Sequence, residues 1–492
     1  MEGIAGTYGH SDRALARKML DVIWHRGPDT FRIAADDRAV LGARELATTE
    51  GSRPVGVYED RGLAVASDSC IFNKAVLLSE YIGDSGQVDV PDALLVMEMY
   101  RREGRNAFAR IDGGFAIAVI DDGELVLARD KYGLKPLYIS RNIRKGCFSS
   151  EMKSQVLAGE PFVQFPPGKS FVQGKGFEGI DEPRRTARSP RLGPSTREMI
   201  RIALERSVAA CGRGSRSVNV LLSGGIDSSA VAAASTSSGF KVSSVCVGMA
   251  GGADLEMARI VAGHLGTDHQ ERTYGIEEMV DVLDEVVYAA ETFDYPLVRS
   301  CIPNFMATKT VRGPPRSVLC GEGGDEVFAG YDYMGSIRSD RALRNERLQL
   351  LYGSYNTGFQ RVDRMTAYCE LDGRMPLMHG GVVGIGLMLG RKDLLDPRSE
   401  QSKVALRKAF EGVLPPEVVW RRKQRFSDGA GSITAMQAVA EELISDSEFE
   451  KERALLPKSR IRTKEELMYY RSFRKFFHSK SADSAVGFTP RP

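Results

Sequence analysis

Apolar residues in the first part of the chain come in short runs, Gly62–Ser67, Gly114–Ile120, Glu124–Ala128 and Pro136–Ser140, separated by Gly and Asp turn signals. Runs of this length and punctuation predict β-strands. Helical periodicity instead marks Ser11–Trp24 and Pro91–Glu103. The expected first unit is therefore layered sheets with peripheral helices. From Asp181 to Pro194 the sequence DEPRRTARSPRLGP has no apolar period and reads as a linker. A boundary near 190 divides the chain into domains over 1–190 and 191–492. Beyond it strand and helix alternate: Ser217–Leu222 then Ser229–Ser235, Lys241–Gly248 then Leu255–Leu265, and Arg316–Cys320 into a Gly-rich turn. Alternation of this kind predicts a parallel sheet covered on both faces. From about Asp340 to Phe477 the pattern is mainly helical, and no internal repeat is visible.

Length and composition narrow the classes. At 492 residues the chain exceeds what one core usually organises. Lys plus Arg at 67 against Asp plus Glu at 65 leaves +2, too balanced to imply a nucleic-acid or membrane partner. The longest apolar stretches, such as Phe115–Ile120 and Val382–Leu389, fall far short of the ~18 residues of a bilayer span. Met1 precedes an acid and a glycine rather than a basic segment and an apolar run, so no secretory signal is visible and a cytoplasmic protein is expected. Cys70, Cys147, Cys211, Cys246, Cys301, Cys320 and Cys369 are scattered without a CxxC pair, which fits reduced core thiols rather than disulfides or zinc. No HxxxH or HxH pair suggests a metal cluster either.

The sharpest chemical signal is VNVLLSGGIDSSAV, Val218–Val231: an apolar strand, a Ser-Gly-Gly turn, then Asp-Ser-Ser opening a helix. Glycines let the backbone close on a phosphate, and a helix N-terminus supplies N–H donors and a positive dipole end. A glycine turn after a strand is common in ordinary α/β proteins. Ser223, Asp227, Ser228 and Ser229 at this spacing make the phosphate cradle the better reading. SGGxDS resembles the signature of PP-loop ATP pyrophosphatases, which adenylate a substrate and release pyrophosphate; the Walker A pattern is absent. A second strand end carries CGEGGDEVFAGY, Cys320–Tyr331, with Glu322, Asp325 and Glu326 on a turn at the same sheet edge. Asp227 and Asp325 could jointly hold Mg²⁺, which prefers hard oxygen ligands and often takes one or two carboxylates. A solvated acidic loop is the plainer alternative.

These residues resemble asparagine synthetase along nearly the whole chain. LLSGGIDSS, ARIVAGHLGTDH (Ala258–His269), ETFDYPLVRSCIPNF (Glu291–Phe305), GEGGDEVFAGY, DRMTAY (Asp363–Tyr368) and WRRKQRFSDGAG (Trp420–Gly431) resemble that family's synthetase domain. GIAGTYG (Gly3–Gly9), HRGPD (His25–Asp29), DKYGLKPLY (Asp130–Tyr138) and SSEMK (Ser149–Lys153) resemble its class II glutamine amidotransferase domain. The resemblance implies an N-terminal antiparallel αββα sandwich of Ntn-hydrolase type and a C-terminal doubly wound parallel sheet of PP-loop type. It implies ATP and Mg²⁺ as cofactors. The implied ATP-binding positions are Leu222, Ser223, Gly224, Gly225, Asp227, Ser228, Val247 and Gly321, with Asp227 and Asp325 on the metal. Lys423 matches the family lysine that neutralises charge on the α-phosphate and on the later oxyanion. Asp372 of LDGRMP matches a family glutamate near the amine, and a Glu322–Asp372 pair would correspond to the tyrosine–glutamate pair of the related β-lactam synthetase.

The departures carry as much weight. Glu2 stands where the family has its N-terminal cysteine nucleophile, and a carboxylate cannot form the thioester. Glu45 aligns with the arginine that grips the glutamine carboxylate. Asp68-Ser69 replaces the Asn-Gly of the oxyanion hole, where an acid opposes developing negative charge. The expected first domain is thus a catalytically inactive amidotransferase, and the expected protein an ATP-dependent, AMP-forming amide ligase of the glutaminase-dead type, like β-lactam and lasso-peptide macrolactam synthetases. Its partners would be a small-molecule or peptide carboxylate and an amine, with no nucleic acid and no membrane; a homodimer is compatible. Ammonia-dependent asparagine synthesis and a non-enzymatic regulatory paralogue are the alternatives. A tRNA-modifying adenylating enzyme would want a basic patch, for which only Arg184–Arg191 offers a short run.

Overall fold

The N-terminal strands pair because alternate positions are small or apolar and can face a second sheet. A computed structural model describes residues 2–48, 55–83, 90–180, 193–396, 399–421, 432–456 and 460–489. Strands β1 (Glu2–Tyr8), β2 (Thr30–Ala35), β3 (Ala39–Glu45), β4 (Val57–Asp60), β5 (Leu63–Ile71), β6 (Gly113–Asp121), β7 (Glu124–Arg129), β8 (Tyr138–Ser140), β9 (Gly146–Ser149), β10 (Phe162–Gln164), β11 (Lys169–Val172) and β12 (Gly176–Gly179) form two six-stranded sheets. Their orders are β10-β8-β9-β1-β3-β2 and β12-β11-β7-β6-β5-β4, antiparallel throughout. Ile4, Tyr8, Leu41 and Ala43 of one sheet meet Ala64, Ala66, Ala118 and Ile120 of the other. The outer faces are covered by the helices Arg13–Val22, through Met19 and Leu20, and Asp92–Glu103, through Leu95 and Met99. This is an αββα sandwich.

The apolar runs predicted as strands became β5 to β8 with ends shifted by a few residues. β1 to β3 lacked the long apolar runs that would have announced them. Their large apolar residues are few, Ile4, Tyr8 and Leu41 between the sheets, and the positions around them are mostly alanine, glycine and threonine, which weakens the hydrophobic signal.

In the C-terminal unit β13 (Ser217–Leu221), β14 (Lys241–Gly248), β15 (Asp268–Thr273), β16 (Ser317–Leu319) and β17 (Asp372–Arg374) form a parallel sheet ordered β15-β14-β13-β16-β17. The order reverses direction between β13 and β16, so a doubly wound sheet has its crevice there. The stretch from Asp340 to Phe477, read as mainly helical, supplies β17, whose three residues are too short for a period to show. The helix expected from Ser229 begins at Ile226, which puts Asp227 and Ser228 inside its first turn. Residues 181–192 of the linker, with the boundary near 190 and the Arg184–Arg191 run, lie outside the described residues, and its last residue, Pro194, opens the helix Pro194–Cys211. Among the described residues no helix is long and apolar enough to cross a membrane. All seven cysteines are free, five buried and Cys70 and Cys369 partly so.

Candidate functional site

The Ser-Gly-Gly turn leaves β13 and the Gly-Glu-Gly-Gly turn leaves β16, the strands that flank the crevice. Gly224 takes φ +68, and a Cβ there would meet Met257 Cβ at 2.4 Å. A Cβ at Gly321 would meet Ser228 N at 2.6 Å, so only glycine lets the two turns close on each other. The helix Ile226–Ser237 points its first turn into the crevice, and no side chain caps it. Its N–H groups are thus offered to a ligand, as a phosphate cradle requires. Ser223 and Ser228 hold the turn, their hydroxyls 3.1 Å apart.

The cavity at this point is lined by Leu222, Ser223, Gly225, Asp227, Ser228, Val247, Gly321, Glu322 and Asp325, all positions expected from the sequence. Gly224 lies behind it against Met257. Lys423 is outside the described residues. Sequence reasoning missed Lys403, Arg361, Arg407 and Arg421, which line the same cavity. Lys403 Nζ contacts Asp227 and lies 2.7 Å from Asp325 Oδ1. Burial disfavours its charge, but the two carboxylates outweigh that and raise its pKa. Two carboxylates that close on one ammonium also have the spacing to close on a hard cation, completed by phosphate oxygens. Among the described residues no cluster of three His, Cys, Asp or Glu could hold a metal by itself. The residues therefore fit Mg²⁺ only in company with a nucleotide. In sequence, Lys403 and Arg407 have the spacing of a solvated helix face, and nothing there separates them from one.

Glu326, expected on the acidic turn, is buried behind it: it accepts from Tyr331 Oη at 2.6 Å, and burial together with Glu322 and Asp325 pushes its pKa up to about 7. The expected Glu322–Asp372 pair is a correction. Glu322 follows the end of β16 and pairs with Arg361, whereas Asp372 registers with Ser317 at that strand's start. Three residues of strand separate the two positions along the sheet, roughly 10 Å. Asp372 is fully buried, 2.7 Å from Arg374 Nε and 3.4 Å from Lys135 Nζ. Burial alone would raise its pKa; the surrounding positive charges, the chain's amino terminus first and then Arg374 and Lys135, hold it far below the usual carboxylate range.

Lys135 belongs to the sandwich, and it also reaches Asp68 at 3.2 Å. Around it runs a buried charge network between the two units. Arg26 of HRGPD contacts Asp68 and Glu151 at 2.9 Å and both oxygens of Asp363 at 2.9 and 3.0 Å. Arg364 contacts Glu291 at 2.9 Å and Glu151 at 3.1 Å. Glu291 accepts the N–H groups of Met152 and Lys153, each at 2.8 Å. HRGPD, SSEMK and DRMTAY thus meet at one interface.

At the adjacent end of the sandwich the structure brings together the positions where the glutaminase groups were expected. Glu2 opposes Glu45 in the β1–β3 register, and the Glu2 N–H donates to Asp68 Oδ1 at 3.2 Å. Ser69 faces the other way, its hydroxyl donating to Asp92 at 2.6 Å.

This combination, an αββα sandwich joined to a doubly wound sheet with an SGGxDS turn at its crevice, defines a two-part ATP-using synthetase. Residues 199–359 and 338–488 match the asparagine synthase family, and residues 1–165 match the glutamine amidotransferase domain. The chain belongs to the asparagine synthase family, and like its members is an ATP-dependent amide-forming ligase. It is 28% identical to asparagine synthetase B [glutamine-hydrolyzing] of Escherichia coli over 96% of this chain and 90% of that one. The same identity relates it to asparagine synthetase [glutamine-hydrolyzing] 2 of Oryza sativa, over 99% and 87%. Among solved structures, the glutamine PRPP amidotransferase of B. subtilis aligns at 15% identity and TM-score 0.33, over 55% of this chain and 65% of that one, too distant to carry an inference.

Proposed function

We propose that this protein activates a carboxylate with ATP, releasing pyrophosphate, and joins the acyl group to an amine without hydrolysing glutamine. The observation that carries the reading is the convergence of Glu2, Glu45 and Asp68 at one end of the sandwich, where a glutaminase needs a thiol, a cation and an oxyanion hole. Burial raises the pKa of Glu2, and Asp68, Asp92 and Glu45 add to the shift against the opposing charge of the amino terminus, so the corner is crowded with acids. A glutamine carboxylate would be repelled.

In the synthetase unit the first-turn N–H groups of Ile226–Ser237 and the Ser223–Ser228 turn would hold phosphate oxygens. A carboxylate oxygen attacks the α-phosphorus, the bond to the β-phosphate oxygen breaks and pyrophosphate leaves. The amine then displaces AMP and gives up a proton. Asp227 and Asp325 would hold Mg²⁺, which neutralises phosphate charge. Lys403 sits where it can exchange those carboxylates for departing phosphate oxygens, and Lys423 is assigned the α-phosphate and oxyanion role. Glu322 and Arg361 form a charged pair in the same cavity, suited to orienting a polar acyl substrate. Asp372 belongs to the interface rather than to the amine. We place the enzyme in a specialised pathway, with lactam or macrolactam closure included in its range and a division near residue 190. The second reading, asparagine formation from aspartate and ammonia, draws on the whole-length similarity to asparagine synthetases.

The test is to incubate the protein with glutamine, ATP and a panel of carboxylates. Glutamate should not rise above the no-enzyme background, while ammonium or an amine with the right carboxylate should drive pyrophosphate release. Glutamate formed in step with pyrophosphate would overturn the reading. Glu2→Cys alone should not restore hydrolysis, because Glu45 and Asp68 remain.

A further inference from the structure

The helix Tyr295–Thr310 is buried along most of its length, with Cys301, Ile302, Phe305 and Met306 fully enclosed in the core. Most of its buried polar side chains are provided for. Arg299 Nε donates to Glu465 at 2.6 Å, Ser300 Oγ to the Leu297 carbonyl at 2.9 Å, and Thr308 Oγ1 to the Asn304 carbonyl at 3.0 Å. Asn304 is the exception: it is 6% exposed, and its Oδ1 is shielded from solvent without a hydrogen-bond partner. A buried amide oxygen that lacks a donor costs free energy. At a site that binds a ligand, the ligand can supply the donor.

Asn304 and, one turn on, Ala307 line the crevice between β13 and β16. Their helix packs on β14, whose Val245 and Val247 line the same cavity beside Leu222. The charges suited to phosphates gather instead at the first turn of the helix Ile226–Ser237, where Lys403 meets Asp227 and Asp325. A triphosphate held by that turn leaves the flat, uncharged base for the apolar wall, and Asn304 is the neutral polar side chain set into it. Phosphate and carboxylate oxygens offer Oδ1 no donor. Adenine does, because its exocyclic amine stands next to a ring nitrogen that accepts. An asparagine amide presents the complementary acceptor and donor side by side and pairs with adenine through both. The terminal torsion of asparagine is soft, so a small turn brings the amide edge to the base.

We propose that Asn304 reads the adenine base of ATP, its Oδ1 accepting from the exocyclic amine and its Nδ2 donating to the neighbouring ring nitrogen. The proposal rests on ATP filling this crevice, and not on the source of the nitrogen.

The test is isothermal titration of the full chain, without a carboxylate substrate, by the magnesium salts of ATP and of purine riboside triphosphate, which lacks the exocyclic amine. Wild type should bind ATP at least ~10-fold more tightly than the analogue. Asn304→Leu, close in size but without a hydrogen-bonding edge, should weaken ATP at least ~10-fold and the analogue by no more than ~2-fold. Asn304→Ala should show the same pattern if the leucine variant fails to fold, with melting temperature in the absence of nucleotide as the check on each. Equal losses for the two nucleotides would overturn the proposal by placing the contact on ribose or phosphate. Unchanged affinities would overturn it by leaving Asn304 a structural residue or one that meets the acyl substrate. Wild type that binds neither nucleotide would sink it together with carboxylate activation by ATP. Glutamate release from glutamine would sink the glutamine-independent reading and leave this one standing.

Discussion

Replacing Glu326 by glutamine should change how stability depends on pH. Glu326 is 2% exposed, behind the turn that carries Glu322 and Asp325, and accepts hydrogen bonds from Tyr331 Oη at 2.6 Å and Ser354 Oγ at 3.3 Å. Burial first, then the charges of Glu322 and Asp325, move its pKa from 4.5 to about 7. Between those values the folded protein keeps a proton that the unfolded chain has released. The folded state therefore binds more protons, and stability falls as pH rises through the window. At about 1.36 kcal/mol per unit the full loss is about 3 kcal/mol, of which about 2 kcal/mol falls between pH 5.5 and pH 8. Glutamine mimics the protonated acid in size and keeps the acceptor for Tyr331. Urea unfolding of wild type and Glu326→Gln at the two pH values should show wild type losing about 2 kcal/mol more than the variant. Parallel pH profiles would refute the reasoning, since Glu326 would then titrate alike folded and unfolded.

Asp227→Asn and Asp325→Asn should each lower carboxylate-dependent pyrophosphate release at least ~100-fold, while Lys403→Met, leaving two facing acids, should lower the melting temperature in EDTA by more than it does with Mg²⁺ and ATP present. Asp363→Asn removes the two-oxygen partner of a fully buried Arg26 and should cost about 3 to 5 kcal/mol in denaturant unfolding, as breaking a buried pair does. Asp372→Asn should reduce pyrophosphate exchange and amide formation together, through Lys135 and Arg374; selective loss of amide formation with exchange intact would return Asp372 to the amine side.

The buried network gives the first unit a role that does not require glutamine hydrolysis. Arg26, Lys135 and Glu151 of the sandwich are paired with Asp363, Asp372 and Arg364 of the other unit at near-zero exposure. Removing the sandwich would leave those partners as uncompensated buried charges. The synthetase unit is thus built against the sandwich, whatever chemistry the sandwich performs.

By itself the sequence determined what local chemistry fixes. The Ser-Gly-Gly turn after β13 and the Gly-Glu-Gly-Gly turn after β16 were legible because backbone approach demands glycine at few, closely spaced positions. The expected departures at Glu2, Glu45 and Asp68 were readings of the same local kind, because thiol, cation and carboxylate differ in chemistry. Only the tertiary structure decided which distant charges meet. Lys403 lies far along the chain from Asp227, and no local pattern marks a lysine whose burial is repaid by two carboxylates. Asp372 was assigned to the amine from its motif, yet its place at the start of β17 turns it toward Lys135. Glu326 and Glu322 are four residues apart on one turn, and only the packing makes one a buried acid with a raised pKa and the other a partner of Arg361. Burial and pairing set the charge of each group, and both are properties of the folded chain.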